Sequence, residues 1–203
     1  MYVVGLTGGI GSGKTVASDW FFKQGIIVVD ADVVAREVVQ VGQPALLRIQ
    51  QQFGDWVLLE NGELNRRALR EHIFQHPEAK KILENITHPI IRESIIQKLE
   101  SAQSPYVILV SPLLFETEQT HLTQRNLLID TPEHLQLERA SQRDQSSHQH
   151  IQTIMSHQMP RHEKQRRADD VVMNDGQLSH LYAQLEPLHQ QYLDDAKKNS
   201  FLM

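Results

Sequence analysis

The sequence predicts an α/β fold: a doubly wound, five-stranded parallel sheet interrupted by a helical insertion domain and carrying a lid. Three observations predict it. The chain opens as strand, glycine-rich turn, helix and strand. A long middle stretch then keeps helical periodicity without a strand-length apolar run. Apolar strand-length runs return afterwards, alternating with helices, as a parallel sheet requires.

Each element follows in order. Tyr2 to Leu6 is short, apolar and β-branched, a buried strand running into glycines. Lys14 to Lys23 is a helix whose apolar stripe is Val16, Ala17, Trp20 and Phe21, closed by Gly25. Ile26 to Val29 is a second buried strand ending at Asp30-Ala31-Asp32, so the first crossover is right-handed. Helices are then expected over Val33–Gln40, Pro44–Phe53, Arg66–His76, Pro77–Asn85 and Pro89–Ala102, with breakers at Gly54 and Asn61-Gly62. This is the insertion, residues 32–103. Tyr106–Val110 and Asn126–Ile129 are strands, the second leading through an Asp130-Thr131-Pro132 cap into a helix over Pro132–Arg143. Gln145–Arg167 is polar and rich in Gln, His and Arg, a helical excursion forming a lid over 144–167. Val171–Met173 is the last strand and Gln177–Lys197 the closing amphipathic helix. The core is therefore 1–31, 104–143 and 168–203.

Composition excludes several classes. A chain of 203 residues, 40% hydrophobic and 22% charged, can bury about 70% of its unfolded surface. It has no cysteine, which rules out a disulfide framework, a zinc finger, an iron–sulfur site and a thiol nucleophile. A net charge of −5 argues against electrostatic binding of nucleic acid by the protein as a whole. No basic-then-apolar leader opens the sequence, and no apolar run approaches the roughly 20 residues of a spanning helix. A cytoplasmic protein without a membrane partner is expected, and Asn85-Ile86-Thr87 is then a chance glycosylation match.

Gly8-Gly9-Ile10-Gly11-Ser12-Gly13-Lys14-Thr15 matches G-x-x-x-x-G-K-[ST], a phosphate-binding loop. The glycines let backbone amides turn inward around phosphate oxygens. Lys14 supplies a point charge for the β- and γ-phosphates, the Thr15 hydroxyl can ligate Mg²⁺, and the helix start aims its positive end at the same anion. About one chain in a hundred of this length would match by chance, and here the match also falls between a strand and a helix. An Asn-Lys-x-Asp guanine element and a Leu-Ser-Gly-Gly-Gln transporter signature are both absent. A small kinase remains.

Asp30 and Asp32 stand at the carboxyl end of the second strand, the edge where open α/β sheets bind ligands. Either could serve as metal ligand or as base for an acceptor hydroxyl, and either could cap the next helix. Arg139 and Arg143 are four apart on one helix face and could neutralise a transferring phosphoryl group; surface pairing is the alternative. Arg161, Lys164, Arg166 and Arg167 form a basic cluster that could help close over ATP, though a solvated lid face is the expected reading. His148, His150, His157 and His162 show no metal-ligand spacing, and His88 heads a helix before Pro89.

Together these motifs resemble the dephospho-coenzyme A kinase family nearly end to end. The resemblance is carried by Gly5 to Thr15, Asp30-Ala31-Asp32 with Arg36, Arg66-Arg67-Ala68-Leu69-Arg70 and Thr87-His88-Pro89-Ile90-Ile91. It continues through Pro112-Leu113-Leu114-Phe115-Glu116, Gln136 to Arg139 with Gln142-Arg143-Asp144, and Ala168 to Asn174. It implies ATP-dependent phosphorylation of the ribose 3′-hydroxyl of dephospho-coenzyme A, with Mg²⁺, by a monomer or weak homo-oligomer. By the same resemblance, Gly11, Ser12, Gly13, Lys14, Thr15 and Val16 hold the ATP phosphates, and Asn174 begins a loop near adenine. Asp32 faces the acceptor hydroxyl, Arg36, His88 and Leu113 lie near the acceptor, and Arg139 and Arg143 are lid arginines. Two positions depart from the family pattern: Ser111 stands where a second Mg²⁺ acid could be, and Asn65 replaces an Asp before Arg66. Two other classes stay open: a similar kinase with another acceptor, and a nucleotide-binding module without acceptor chemistry.

Overall fold

A computed structural model describes residues 1–117 and 119–201. The chain divides into two compact units, one formed by Met1–Asp30 with Leu99–Met203 and the other by Ala31–Lys98.

The first unit is an all-parallel five-stranded sheet. Its strands are β1 (Val3–Thr7), β2 (Ile27–Asp30), β3 (Val107–Val110), β4 (Arg125–Asp130) and β5 (Asp170–Met173), in the spatial order β2-β3-β1-β4-β5. Register places Leu6 beside Val110 and Thr7 beside Leu128, so β1 is central and buried throughout. Strands β2 and β3 lie to one side of β1, and β4 and β5 to the other. The order switches at β1, and the crevice beyond its carboxyl end is where such sheets take ligands. Helices α1 (Lys14–Lys23) and α9 (Leu178–Phe201) pack together over the sheet. Val4, Leu6, Phe21, Ile108, Ile129 and Tyr192 form part of the resulting core. Helix α6 (Glu133–Asp144) contacts α7 (His148–Ser156), and α8 (Arg161–Arg167) contacts β4.

The second unit holds α2 (Ala31–Glu37), α3 (Pro44–Phe53), a 3₁₀ turn at Asp55–Val57, α4 (Arg66–Gln75) and most of α5 (Pro77–Glu100). Val34, Leu46, Ile49, Val57, Leu69 and Ile95 are buried there. The departure at Asn65 has a local reason: its Oδ1 accepts the Ala68 N–H at 3.1 Å and caps α4. Lys98 pairs with Glu37 at 3.0 Å.

Two expectations are corrected. The helices expected over Pro77–Asn85 and Pro89–Ala102 are one continuous α5 with Pro89 inside it. An internal proline removes one backbone bond and commonly breaks a helix. Burial of Ala79 and Ile95 on either side supports continuity here, and the Thr87 hydroxyl donates to the Leu83 carbonyl just before the proline. The expected Asp130-Thr131 cap does not form either. Pro132 occupies the N-cap of α6 without a side-chain bond, because the two polar residues before it are engaged elsewhere.

Candidate active site

The glycine-rich loop joins β1 to α1 at the switch point, and its neighbours fix its shape. Gly11 (φ 69°) and Gly13 (φ 91°) occupy the left-handed region. A Cβ at Gly11 would lie 2.5 Å from the Gln136 carbonyl, and one at Gly13 would strike the Asn174 amide. The Ser12 carbonyl is held from two sides, by Asn174 Nδ2 at 2.8 Å and by Thr131 Oγ1 at 3.2 Å. The Thr131 hydroxyl also lies 2.9 Å from the Asn174 carbonyl. The ends of β4 and β5 thereby position the loop.

The loop's chemistry suits an anion. Ser12 Oγ is buried with no hydrogen-bond partner among the described residues. Lys14 Nζ donates to the carbonyls of Gly8 at 2.8 Å and Gly9 at 3.0 Å, which folds the ammonium back over the loop. Thr15 is exposed and Val16 half-buried in the first turn of α1, whose N-cap is Gly13. Exposed hydroxyl, positive helix end and ammonium converge on one small region.

Arg139 and Arg143 differ in what they touch. Arg139 NH1 donates to the Asn174 carbonyl at 2.8 Å, behind the loop. Arg143 forks onto Asp144 at 2.7 and 2.8 Å. That hydrogen bond holds the Asp144 carboxyl below its ordinary pKa range. Leu113 is 40% exposed just past β3, and Ser111 before it is buried.

Asp32, Arg36 and His88 belong to the helical unit. Asp32 lies in the first turn of α2 and Arg36 in its last, four residues apart, and both are exposed. Arg36 lines a groove of about 810 Å³ with Arg66, Arg67 and Glu63, and its carbonyl accepts Arg66 NH2 at 3.4 Å. His88 is exposed on α5.

Polar anchors under the excursion were not singled out by sequence reasoning. Asp130, 2% exposed, receives Arg161 in a two-bond fork at 2.7 Å each and Gln165 Nε2 at 2.7 Å. Burial would raise its pKa, but the bonds from Arg161 and Gln165 outweigh that and hold the carboxyl low. Lys164, 3% exposed, lies 3.1 Å from Glu116, which also accepts the Met159 N–H at 2.8 Å. Arg161 and Lys164 are therefore not the solvated lid face expected; of the four, Arg166 and Arg167 are the exposed pair, and both reach the half-buried Glu163. The available signals were Glu116 in a family motif and Asp130 closing an apolar strand.

The chain matches the family model for dephospho-CoA kinase over residues 2–180. It is 69% identical over 194 residues to a dephospho-CoA kinase from Acinetobacter baylyi, covering 96% of this chain and 100% of that one. It is 54% identical to one from Psychrobacter cryohalolentis, covering 98% and 88%. Among solved structures, dephospho-CoA kinase from Campylobacter jejuni superposes with a TM-score of 0.71 at 27% identity, covering 97% of this chain and 98% of that one. A protein from Thermus thermophilus gives a TM-score of 0.80 at 30% identity, covering 94% and 97%. With the family model spanning most of the chain and relatives more than half identical, this chain belongs to the dephospho-CoA kinase family.

Proposed function

We propose that this chain transfers the γ-phosphoryl group of ATP to the ribose 3′-hydroxyl of dephospho-CoA, giving CoA and ADP, the last step of coenzyme A synthesis. The observation that carries it is family membership along nearly the whole chain, joined to a phosphate loop built for an anion. Gly11 to Val16 hold the ATP phosphates, and Lys14 leaves the Gly8 and Gly9 carbonyls to follow charge onto the β,γ-bridge. The loop beginning at Asn174 borders the adenine. Asp32 accepts the acceptor's hydroxyl proton, and Arg36, His88 and Leu113 hold the acceptor. Arg139 and Arg143 neutralise the transferring group, Arg143 after leaving Asp144. Segment 144–167 acts as the lid, with 161–167 as its anchored base.

The donor set fits Mg²⁺ only as a companion of the nucleotide. Among the described residues no cluster of three or more His, Cys, Asp or Glu could hold a metal alone. Thr15 offers one hard oxygen beside the phosphates, which would supply the others. The ion would neutralise charge on the phosphate oxygens.

Among the described residues no helix is long and apolar enough to cross a membrane. A kinase of two small water-soluble substrates works in the cytoplasm, here as a monomer or weak homo-oligomer. Coupled ADP release with dephospho-CoA, with AMP and with no acceptor is the test. Turnover specific to dephospho-CoA is expected. Faster turnover with AMP would give the chain a different acceptor, and none with any acceptor would leave a binding module.

A further inference from the structure

The short turn between α7 and α8 reaches the phosphate loop through one side chain. Gln158 Oε1 accepts the backbone N–H of Ile10 at 3.1 Å. Ile10 is the third residue of the eight-residue loop, immediately before the stretch Gly11 to Val16 assigned to the ATP phosphates. The turn is not free to drift. The adjacent Met159 N–H is bound to Glu116, Glu116 is paired with the buried Lys164, and α8 begins at Arg161, forked onto the buried Asp130. Gln158 also lines a cavity of about 270 Å³ with Gly9, Gln136, Asp130 and Arg161. That pocket lies beside the loop carbonyls that Lys14 grips.

A primary amide is two-sided: its oxygen accepts and its nitrogen carries two donors. With Oε1 spent on Ile10, the Nε2 end has no hydrogen-bond partner among the described residues. A neutral double donor, held by its other end to the phosphate loop, suits a phosphoryl oxygen. It adds hydrogen bonds without competing with Lys14 for position.

We propose that Gln158 is a nucleotide-contacting residue that selects the triphosphate. Its Oε1 stays on the Ile10 N–H while its Nε2 donates to an oxygen of the terminal phosphoryl group. This rests on the kinase reading above. It assigns that phosphoryl contact to a residue outside the phosphate loop and outside the two arginines of α6.

The test compares ATP with ADP. Binding of each is measured by calorimetry, and kcat and KM for ATP by ADP release, for the parent, Q158A and Q158E. Thermal melting and far-ultraviolet circular dichroism are run alongside. Glutamate keeps the acceptor for Ile10 but has no donor and repels phosphate. Q158E should bind ATP roughly ten- to a hundredfold more weakly, the size expected for hydrogen bonds to a charged group, and ADP within about twofold of the parent. Q158A should show a smaller loss with the same preference for harming ATP. Equal weakening toward both nucleotides, or a melting change with binding intact, would make Gln158 a structural tether and overturn the proposal. Tighter ATP binding by Q158A would make it a plug over Ile10 and also overturn it. Should Q158E not fold, the ATP-to-ADP ratio of Q158A decides alone. Failure of the kinase reading is seen separately, as a parent that binds no ATP or phosphorylates no acceptor.

Discussion

Asp130 and Arg161 form a two-bond fork, both bonds 2.7 Å long, that ties the carboxyl end of β4 to the start of α8. The carboxylate is almost fully buried and the guanidinium only about one-third exposed, so removing one partner strands a charge. Asp130→Ala should cost about 3 kcal/mol. It should also raise hydrogen exchange across 157–167 before the sheet loses protection. Unchanged exchange there would mean that the fork does not anchor the lid. In the parent, ATP should slow exchange most over 144–157 and least over 161–167.

Lys14 is half-buried and folds over the loop through two backbone carbonyls. Lys14→Ala should lower turnover by at least about 10² while melting stays close to the parent. Near-normal turnover would exclude the loop from phosphoryl transfer.

Among the described residues Arg143 is bound only to its exposed neighbour Asp144, an arrangement worth little to stability. Arg143→Ala should therefore reduce kcat far more than it reduces Tm, as thermal melting and steady-state kinetics will show. The opposite order would place the residue in surface stability.

Asp32 lies exposed in the first turn of α2, where Asn could replace it without a packing change. A carboxylate can accept a hydroxyl proton late in a loose transition state, worth about 10²–10⁴ in rate. Asp32→Asn should lose at least the lower end of that range with ATP binding intact. A loss that varies with metal concentration and is partly rescued by Mn²⁺ would assign Asp32 to the metal instead.

His189 supplies the pH dependence. Burial lowers its pKa, with Glu186 partly opposing, and its Nδ1 lies 2.6 Å from the Tyr106 hydroxyl. Burial also raises the Tyr106 pKa, so that hydroxyl keeps its proton beside the imidazole. The folded pKa lies below the unfolded value near 6.5, so this stability is complete above about pH 6.5 and lost as pH falls through the folded pKa. Each kcal/mol lost lowers Tm by about 2–4 °C in a domain of this size. His189→Asn should flatten the slope of Tm between pH 7 and 5; an unchanged slope would move the effect to other groups.

The five strands, the phosphate loop and the closing helix are legible in the sequence because their signals are local. Continuous apolar runs mark buried strands, and glycines mark a loop that must pass close to Gln136 and Asn174. The continuity of α5 through Pro89 was not legible, because burial along its length has no local sign at the proline. Nor could the sequence separate Arg161 and Lys164 from Arg166 and Arg167. All four sit in one basic run, yet two meet carboxylates brought there from β4 and from beyond β3, Asp130 buried and Glu116 half-buried, while two meet Glu163 on their own helix. The Gln158 bond to Ile10 joins residues 148 apart. Periodicity and motif spacing report which residues share a face of one element. Which distant partner a polar side chain finds is decided when the parallel sheet aligns the ends of its strands.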